Sequence, residues 1–446
     1  MSRASGFVCL AVVAAAWVGC GDDDGMTVTP PPQPPPPPDG GTPPPPPGVE
    51  AEWTVFVYGH ADHNLSNSLV RDIQEMNRAT IPDDMNVIVL ADFDASQDIG
   101  DGGDKFPSGS ALLRIVGGGA EPEELGTGDE EDLDSPDVLA AYVQDVFTQF
   151  PARRRGLIMW NHGGGWSGGF GGDTQDGTRE GTNLPFQDAA DAIASGLSSA
   201  GIADEPPLVF LSFDTCLMAG AEIAQSFRSL AELYVANAEI DYGDGWDYER
   251  ALTMIGEQKG ISADDLGREE VSIWDAHHAS AGVNDGLLRS HVAIDLAQMD
   301  AFASAMSGLA DVWLASEALN PADVGVSGFY ALPPYFNQIE SGSTNPGLRD
   351  LGQFLDRLGT TTSDPDVAAA ASGARSALDS MILGSSQGSV RTAGRQSGVH
   401  TELSLASQLT STRRSDFRAI ASDWSQATGW ADVLDALASY DDAQVP

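Results

Sequence analysis

The sequence predicts an α/β fold with a central, mainly parallel β-sheet that helices cover on both faces. Five apolar segments of strand length occupy residues 53–61, 86–94, 156–162, 207–214 and 233–240. They are apolar at almost every position, which is typical of strands buried on both faces. Segments with helical spacing separate them, at residues 65–79, 134–150, 185–200 and 217–230. Alternation of this kind favours a parallel sheet with crossover helices.

The chain is long enough for a large core and a further region. It has 446 residues, and at about 150 residues per domain this allows roughly three domains. Residues 53–260 hold the five strands and are predicted to form the core domain. Residues 261–446 mix helices with short strands and are predicted to form a C-terminal α/β extension that completes the same unit.

The charge balance excludes one class of partner. The chain has 66 Asp and Glu residues against 22 Lys and Arg residues, a formal net charge of −44. Such a surface repels phosphate backbones, so nucleic-acid binding is excluded. It attracts basic peptides, and it is also typical of a solvated extracellular surface.

Residues 1–19 have the features of a secretory signal peptide. One positive charge, Arg3, precedes an apolar run that is too short for a transmembrane helix. The ending Val18-Gly19-Cys20 is similar to a bacterial lipobox, in which the cysteine is lipidated. Residues 20–52 follow as a linker, and residues 30–47 contain 13 of the chain's 27 prolines, a composition that forms an extended spacer. The expected location is the bacterial cell envelope, lipid-anchored to a membrane and outside the cytoplasm.

The chemistry-bearing residues lie where two predicted strands end, the position at which sites form in such sheets. A thiol hydrolase needs a nucleophilic thiolate, an imidazole that transfers protons, and backbone N–H groups that bind the oxyanion. Cys216 and His162 supply the first two, and the N–H groups of Gly163 and Cys216 could form the oxyanion hole. A helix starting at residue 217 is expected to favour the thiolate through its dipole.

Each of these residues also has an ordinary structural explanation. A single Cys on an apolar strand is usually an inert small hydrophobe, and Asp214 could simply cap the following helix. The glycines after His162 lack the Gly-Lys-Ser/Thr ending of a phosphate-binding loop. What favours a hydrolase is the combination of Cys and His, 54 residues apart and close to the spacing of about 50 in caspases.

The chain resembles the clostripain-like cysteine peptidases, the C11 family of the caspase, gingipain and legumain clan. The resemblance extends over residues 53–440 and is carried by four segments, WTVFVYGHADHNL, LIMWNHGGGW, FLSFDTCLMAGAEIA and NAEIDYGDGWDYERAL. The second contains His162 and the third contains Cys216. His63 stands where Asn is common in the family, and Thr215 where Ala is common.

The resemblance implies a caspase-like sandwich with a Cys216–His162 dyad. It also implies that Asp214 is the base of an S1 pocket that prefers Arg or Lys, since a partly desolvated carboxylate pairs with guanidinium through two hydrogen bonds. Asp241 and Asp244 are further candidates for the pocket wall, with solvated loop acids as the alternative. The sequence requires no cofactor and predicts no metal site, whereas the resemblance allows calcium.

The predicted function is that of a membrane-tethered cysteine endopeptidase that cleaves proteins or peptides after Arg or Lys. Relatives of this type cut themselves between the His and Cys motifs. Between residues 163 and 215 the only Lys or Arg is Arg179, in a polar, glycine-rich stretch suited to cleavage. The alternative is a catalytically inactive, caspase-like surface-binding domain, which would have no need for Cys216, His162 and the glycines.

Overall fold

A computed structural model describes residues 50–94, 109–127, 131–172, 183–241, 245–280, 290–316, 347–387, 396–404, 406 and 408–439. The predicted signal peptide, Cys20 and the proline-rich linker lie outside the described residues. The same holds for Asp244 and for Arg179.

The β-strands, in chain order, are β1 (Ala51–Ala61), β2 (Met85–Phe93), β3 (Ala111–Ile115), β4 (Glu123–Thr127), β5 (Ala152–Trp160), β6 (Leu208–Asp214), β7 (Ala231–Asn237), β8 (Ser290–Asp295), β9 (Leu348–Asp350), β10 (Ile382–Gln387) and β11 (His400–Glu402). Strands β2, β1, β5, β6 and β7 lie side by side in this order, and each neighbouring pair is parallel. These are the five predicted strands. The α/β class with a mainly parallel central sheet is therefore confirmed.

Antiparallel strands extend this sheet at both edges. Strands β3 and β4 continue it beyond β2, and β8 and β10 continue it beyond β7, so that the order is β10-β8-β7-β6-β5-β1-β2-β3-β4. Strands β8 and β10 come from the residues after 260. Strands β9 and β11 form a separate antiparallel pair.

The helices, in chain order, are α1 (Ser66–Arg78), α2 (Pro136–Gln149), α3 (Gly165–Gly168), α4 (Phe186–Ser199), α5 (Ala221–Phe227), α6 (Tyr248–Glu257), α7 (Ala263–Ser280), α8 (Met299–Ala315), α9 (Leu351–Thr361), α10 (Pro365–Met381), α11 (Ser411–Ile420), α12 (Ser422–Thr428) and α13 (Trp430–Leu437). Helices α1, α6 and α7 cover one face of the sheet. Helices α2, α4 and α5 cover the other, together with α8 and the C-terminal helices.

The alternation of side chains along β1 explains why the strand is apolar throughout. Val55 and Val57 belong to the core on the α1 face, whereas Phe56 and Tyr58 belong to the core on the α2 face. All four are fully buried. A strand with period two and helices on both sides needs apolar residues at every position.

Strand β5 begins earlier than the sequence predicts. The expected strand started at residue 156, after three consecutive arginines, but β5 includes them. Arg153 pairs with Glu52, and Arg155 pairs with Asp204 at 2.7 Å. Arg154 lies over the ring of Trp53 at 4.5 Å. Long cationic side chains can therefore occupy the start of a buried strand, because their stems cover apolar surface while their charges reach partners at its rim.

Candidate active site

The loops after β1, β5, β6 and β7 all leave the carboxyl edge of the parallel sheet. Strands β5 and β6 pair in a register that sets Trp160 opposite Asp214. His162 and Cys216 each follow two residues after a member of this pair. The strand register therefore carries the predicted imidazole and thiol into adjacent loops, at the edge where α/β proteins place their sites.

Asn64 sets the orientation of the His162 ring. Its Oδ1 lies 3.0 Å from Nε2 of His162, and it belongs to the loop after β1. An amide oxygen only accepts hydrogen bonds, so Nε2 carries the hydrogen and Nδ1 holds the lone pair. Asn64 was not among the site residues predicted from the sequence. It belongs to the motif GHADHNL, which begins at the end of β1 and continues into the loop at the same edge of the sheet.

A second histidine packs against His162. His63 is buried, and its ring centroid lies 4.7 Å from that of His162. Its Nε2 donates to Oδ1 of Asn161 at 2.6 Å, and its Nδ1 accepts from the backbone N–H of Leu65 at 3.1 Å. Burial, followed by repulsion from His162, lowers the pKa of His63 to about 4. His63 is therefore neutral at neutral pH and adds no charge beside His162.

His162 itself is also a neutral base at rest. Burial, and next the proximity of His60, lower the pKa of the His162 imidazole below its ordinary value of 6.5. The ring is therefore unprotonated at neutral pH, with its free lone pair on Nδ1 as fixed by Asn64.

Cys216 lies in a turn and not at the start of a helix. The helix predicted from residue 217 begins only at Ala221. Leu217 has a φ of 61°, in the left-handed region that residues other than glycine enter only when surrounding contacts hold them there. The expectation that a helix dipole stabilises the thiolate is wrong, because four residues separate Cys216 from α5 and the dipole acts only within the first turn.

The loop after β7 partly covers Cys216, which is half-buried. The backbone N–H of Asp241 donates to Sγ at 3.3 Å. Burial, and next the charge of Asp241, raise the pKa of the Cys216 thiol to about 12. In the intact, uncut chain the thiol of Cys216 and the imidazole of His162 are therefore both neutral at neutral pH.

Gly163 packs directly on the turn that holds Cys216. A Cβ atom at Gly163 would lie 2.0 Å from the carbonyl oxygen of Cys216 and 2.8 Å from Oγ1 of Thr215. Any side chain at this position would push the two loops apart, which explains the glycine. The two N–H groups expected to bind the oxyanion thus belong to segments in direct contact.

Asp214 is buried at the end of β6, with 4% of its surface exposed. Its Oδ2 accepts from the hydroxyl of Tyr248 at 2.7 Å and from the backbone N–H of Trp246 at 3.4 Å. A Cβ atom at Gly245 would lie 2.7 Å from both carboxyl oxygens, so the backbone of the same loop covers them. Tyr248 was not predicted from the sequence, although it belongs to the segment over residues 237–252 that carries the family resemblance.

Asp72 and Asp241 form an acidic cluster with Asp214. Burial raises the pKa of all three carboxyls, and the charge of Asp214 raises those of Asp72 and Asp241 further. Asp241 hydrogen-bonds to Asp214 and accepts from Nδ2 of Asn237 at 2.6 Å, while Asp72 accepts from Nε1 of Trp160 at 2.8 Å.

In the described part of the chain, the Lys and Arg side chains that form ion pairs do so with other acids, and none pairs with this cluster. Repulsion among buried carboxyls favours either a shared proton or a bound cation. Asp214 and Asp241 were predicted from the sequence, whereas Asp72 was not, because it lies on α1 and comes from a distant part of the sequence.

Within the described ranges, no three side chains of His, Cys, Asp or Glu are grouped so that they could hold one ion.

The sheet and the loops together define an α/β fold of the caspase-like type that brings a Cys and a His into adjacent loops. The sequence model of the clostripain family matches residues 57–436, which is most of the chain. The chain therefore belongs to the clostripain family of cysteine peptidases.

A curated relative supports this assignment. Clostripain from Hathewaya histolytica is 28% identical over 236 residues, which are 48% of this chain and 44% of clostripain. The chain thus matches less than half of the length of that relative.

Solved structures show the same fold. A secreted C11 cysteine protease from Bacteroides thetaiotaomicron, in complex with an irreversible peptide inhibitor, superposes with a TM-score of 0.62 at 19% identity, over 85% of this chain and 99% of the other. An inactive zymogen C11 protease from Parabacteroides distasonis gives 0.59 at 15% identity, over the same shares. The caspase-like architecture is confirmed by these similarities.

Proposed function

We propose that the chain is an exported, membrane-tethered cysteine endopeptidase that cleaves proteins and peptides after Arg or Lys. The observation that carries the proposal is the pairing of Trp160 with Asp214, since the residues that follow this pair are His162 and Cys216. One strand register thus accounts for the nucleophile, the base and the acid of the specificity pocket.

In the proposed mechanism His162 acts through Nδ1. It accepts the proton of the Cys216 thiol as the sulfur attacks the carbonyl carbon of the scissile bond. The N–H groups of Gly163 and Cys216 stabilise the oxyanion. His162 then returns the proton to the leaving amine, which gives a thioester. Water hydrolyses the thioester with His162 again accepting a proton, and the free thiol is regenerated.

The specificity follows from the acidic cluster. A guanidinium or ammonium group of the residue before the scissile bond would replace the proton that Asp214 and Asp241 share. Asp72, which accepts a hydrogen bond from Trp160, would contribute a third carboxyl to the cluster. Buried acids that repel each other gain more from a bound cation than from any neutral side chain, so Arg or Lys is favoured over Leu.

The proposed cellular location of the protein depends on its N-terminal residues. Lipidation at Cys20 would anchor the chain, and the proline-rich linker would hold the peptidase away from the bilayer. The relative from Bacteroides thetaiotaomicron is described as secreted. In the described part of this chain, no helix is both long enough and apolar enough to cross a membrane.

Activation by a cut after Arg179 is part of the proposal. The raised pKa of Cys216 and its contact with the N–H of Asp241 describe a thiol that is protonated and partly covered. A cut between the two motifs would free the chain next to His162 and allow the loop after β7 to move off the sulfur. Calcium, which the resemblance allows, would be compatible with these steps.

The function is tested with a fluorogenic Arg-peptide and the purified chain, before and after incubation. Hydrolysis by the wild type, with none by Cys216→Ala or His162→Ala, is the expected result. Folded wild-type protein that hydrolyses neither Arg, Lys nor Leu peptides after incubation would support the alternative, an inactive binding domain.

A further inference from the structure

A three-residue strand near the end of the chain contacts both catalytic loops. Strand β11 (His400–Glu402) pairs with β9, and it lies 183 residues in sequence from Leu217, which it contacts. Alternate residues of a strand point to the same side, so the side chains of His400 and Glu402 share one face. His400 reaches the turn after β6, and Glu402 reaches α3, the helix that follows the His162 loop.

His400 holds the backbone of the nucleophile turn. Its Nε2 donates to the carbonyl oxygen of Leu217 at 2.8 Å, and its backbone N–H donates to the carbonyl oxygen of Ala219 at 3.0 Å. The side chain is fully buried, and burial lowers the pKa of His400 to about 4, so it remains a neutral donor at neutral pH. Leu217 is the residue held in the left-handed conformation directly after Cys216.

The contact between β11 and this turn is close. His400 forms a parallel bridge with Gly220, and a Cβ atom at Gly220 would lie 2.9 Å from Cε1 of His400. A residue with a side chain at 220 would displace the imidazole from Leu217. Glycine at this position therefore permits the hydrogen bond that restrains the turn.

Glu402 holds the other loop. Its Oε2 accepts from Nε1 of Trp166 at 2.8 Å and from Nη2 of Arg413, while its Oε1 accepts from the backbone N–H of Ser404. Trp166 belongs to α3 and follows Gly163 by three residues. The guanidinium of Arg413 lies over the Trp166 ring at 5.2 Å. The start of α3, and with it the His162 loop, is thus attached to the C-terminal region.

We propose that β11 is a brace that sets the relative position of the two catalytic loops, with His400 as a positioning residue for Cys216 and Glu402 as one for His162. The inference rests on the proposed function, because the brace would control the distance between the Cys216 thiol and the His162 imidazole. Misplacement of reacting groups by about 1 Å can cost on the order of 100-fold in rate. Neither residue touches the substrate in this proposal.

The first arm of the test compares His400→Leu, which cannot donate to Leu217, with His400→Gln, whose amide can. A matched control is Thr428→Val, because Thr428 is fully buried and its hydroxyl bonds only within the C-terminal region, to the carbonyl oxygen of Trp424 and the N–H of Trp430. We expect His400→Leu to lower kcat on an Arg-peptide roughly 10- to 100-fold with KM within about twofold. His400→Gln should recover most of this loss, and Thr428→Val should keep kcat within about twofold.

The second arm of the test concerns the hydrogen bond between Glu402 and Trp166. Trp166→Phe removes one donor and retains an aromatic ring, and Glu402→Gln retains an acceptor for Trp166. We expect Trp166→Phe to lower kcat about tenfold with little change in KM, and Glu402→Gln to lose less. Unchanged kcat in both His400→Leu and Trp166→Phe would overturn the brace. A loss in His400→Leu that His400→Gln does not restore would overturn the role of the hydrogen bond.

Amide hydrogen exchange tests, without any substrate, whether His400 restrains the turn after β6. The N–H groups of Leu217 and Ala219 donate to the carbonyl oxygens of Glu239 and Asn237. Their exchange should be at least about tenfold faster in His400→Leu than in the wild type or in Thr428→Val. If the wild type proves inactive, the proposed function fails, and equal exchange in all three proteins would refute the brace separately.

Discussion

Oδ1 of Asn64 and Nε2 of His162 are 3.0 Å apart, although 98 residues separate them in the sequence. The amide fixes which imidazole nitrogen is free, so the proton acceptor of the proposed dyad is Nδ1. The partner is uncharged. It therefore does not offset burial and the proximity of His60, which lower the pKa of His162 below its ordinary value, as suits a base that must be unprotonated at neutral pH.

Replacement of Asn64 tests this relationship. Asn64→Ala should lower kcat about tenfold, because the imidazole can then adopt the other tautomer or turn away from Cys216. Asn64→Asp should instead place a negative charge beside the ring, raise the pKa of His162 and move the acid limb of kcat/KM to higher pH by about one unit.

The pH profiles of hydrolysis for the three proteins are the measurement. Gln74→Ala, an exposed amide on α1, is the control and should match the wild type. An acid limb that stays in place in Asn64→Asp would mean that residue 64 does not act on the base.

Alkylation of Cys216 should be slow in the uncut chain. Because burial and Asp241 raise the pKa of the thiol to about 12, iodoacetamide labelling at pH 7 should be slower than that of an unstructured Cys peptide. The rate should rise with pH up to pH 10 without a plateau. Mass spectrometry of the labelled peptide measures it, with Cys216→Ala as the blank. A plateau below pH 7 would instead indicate a thiolate at rest.

Arg179 is the predicted site of the activating cut. Incubation of the purified chain should give a new N-terminus at Glu180, found by N-terminal sequencing. The cut should be absent in Arg179→Ala and in Cys216→Ala, and present in Arg71→Ala, a change at an exposed arginine of α1. Once cut, the wild type should label faster at Cys216. Full activity of a chain that stays intact would contradict this proposal.

Asp214→Asn should change specificity more than it changes catalysis. The variant leaves a bound guanidinium without its charged partner, so kcat/KM for an Arg-peptide should fall at least about 100-fold, or roughly 2.8 kcal/mol at 1.4 kcal/mol per tenfold. Hydrolysis of a Leu-peptide should change little.

In the wild type the raised pKa values of Asp214 and Asp241 predict a pH effect on binding. As pH rises through these values the shared proton is lost, so KM for Arg should fall while KM for Leu stays constant. Equal cleavage after Arg and Leu by the wild type would show that the cluster does not select a cation.

Glu222 provides a prediction on stability. It is fully buried on α5, and burial raises its pKa from 4.5 to about 8. Between pH 4.5 and pH 8 the folded state therefore holds a proton that the unfolded chain has released. The free energy of unfolding falls as pH rises through this range, because the proton must be taken up on folding. At about 1.4 kcal/mol per pKa unit, Glu222→Gln should stabilise the chain by up to roughly 5 kcal/mol above pH 8.

Near pH 4 the same variant should have almost no effect, because the wild-type carboxyl is then protonated in both states. Denaturant unfolding at pH 4 and pH 9 measures the difference. Glu257→Gln, at an exposed position of α6, is the control. Equal effects of Glu222→Gln at both pH values would contradict the buried, protonated carboxyl.

Several features followed from local sequence patterns. Strands such as β1 and β2 are buried on both faces and are therefore apolar throughout, which makes them visible without any tertiary information. The positions of His162, Cys216 and Asp214 followed because parallel strands end at the same sheet edge. Strands β3 and β4 were not predicted. They have five residues each and are only partly buried, so their pattern is weak.

The sequence by itself thus determined the class of fold, the family and the edge of the sheet that carries the thiol and the imidazole. The tertiary structure alone decided which residues surround them. Asn64, Asp72 and Tyr248 reach the site from separate segments, and His400 reaches it from near the C-terminus. It also decided that Cys216 is protonated. The physical reason is that propensity and periodicity act between near neighbours in the chain, whereas burial, pKa and hydrogen-bond partners depend on contacts between residues far apart in sequence.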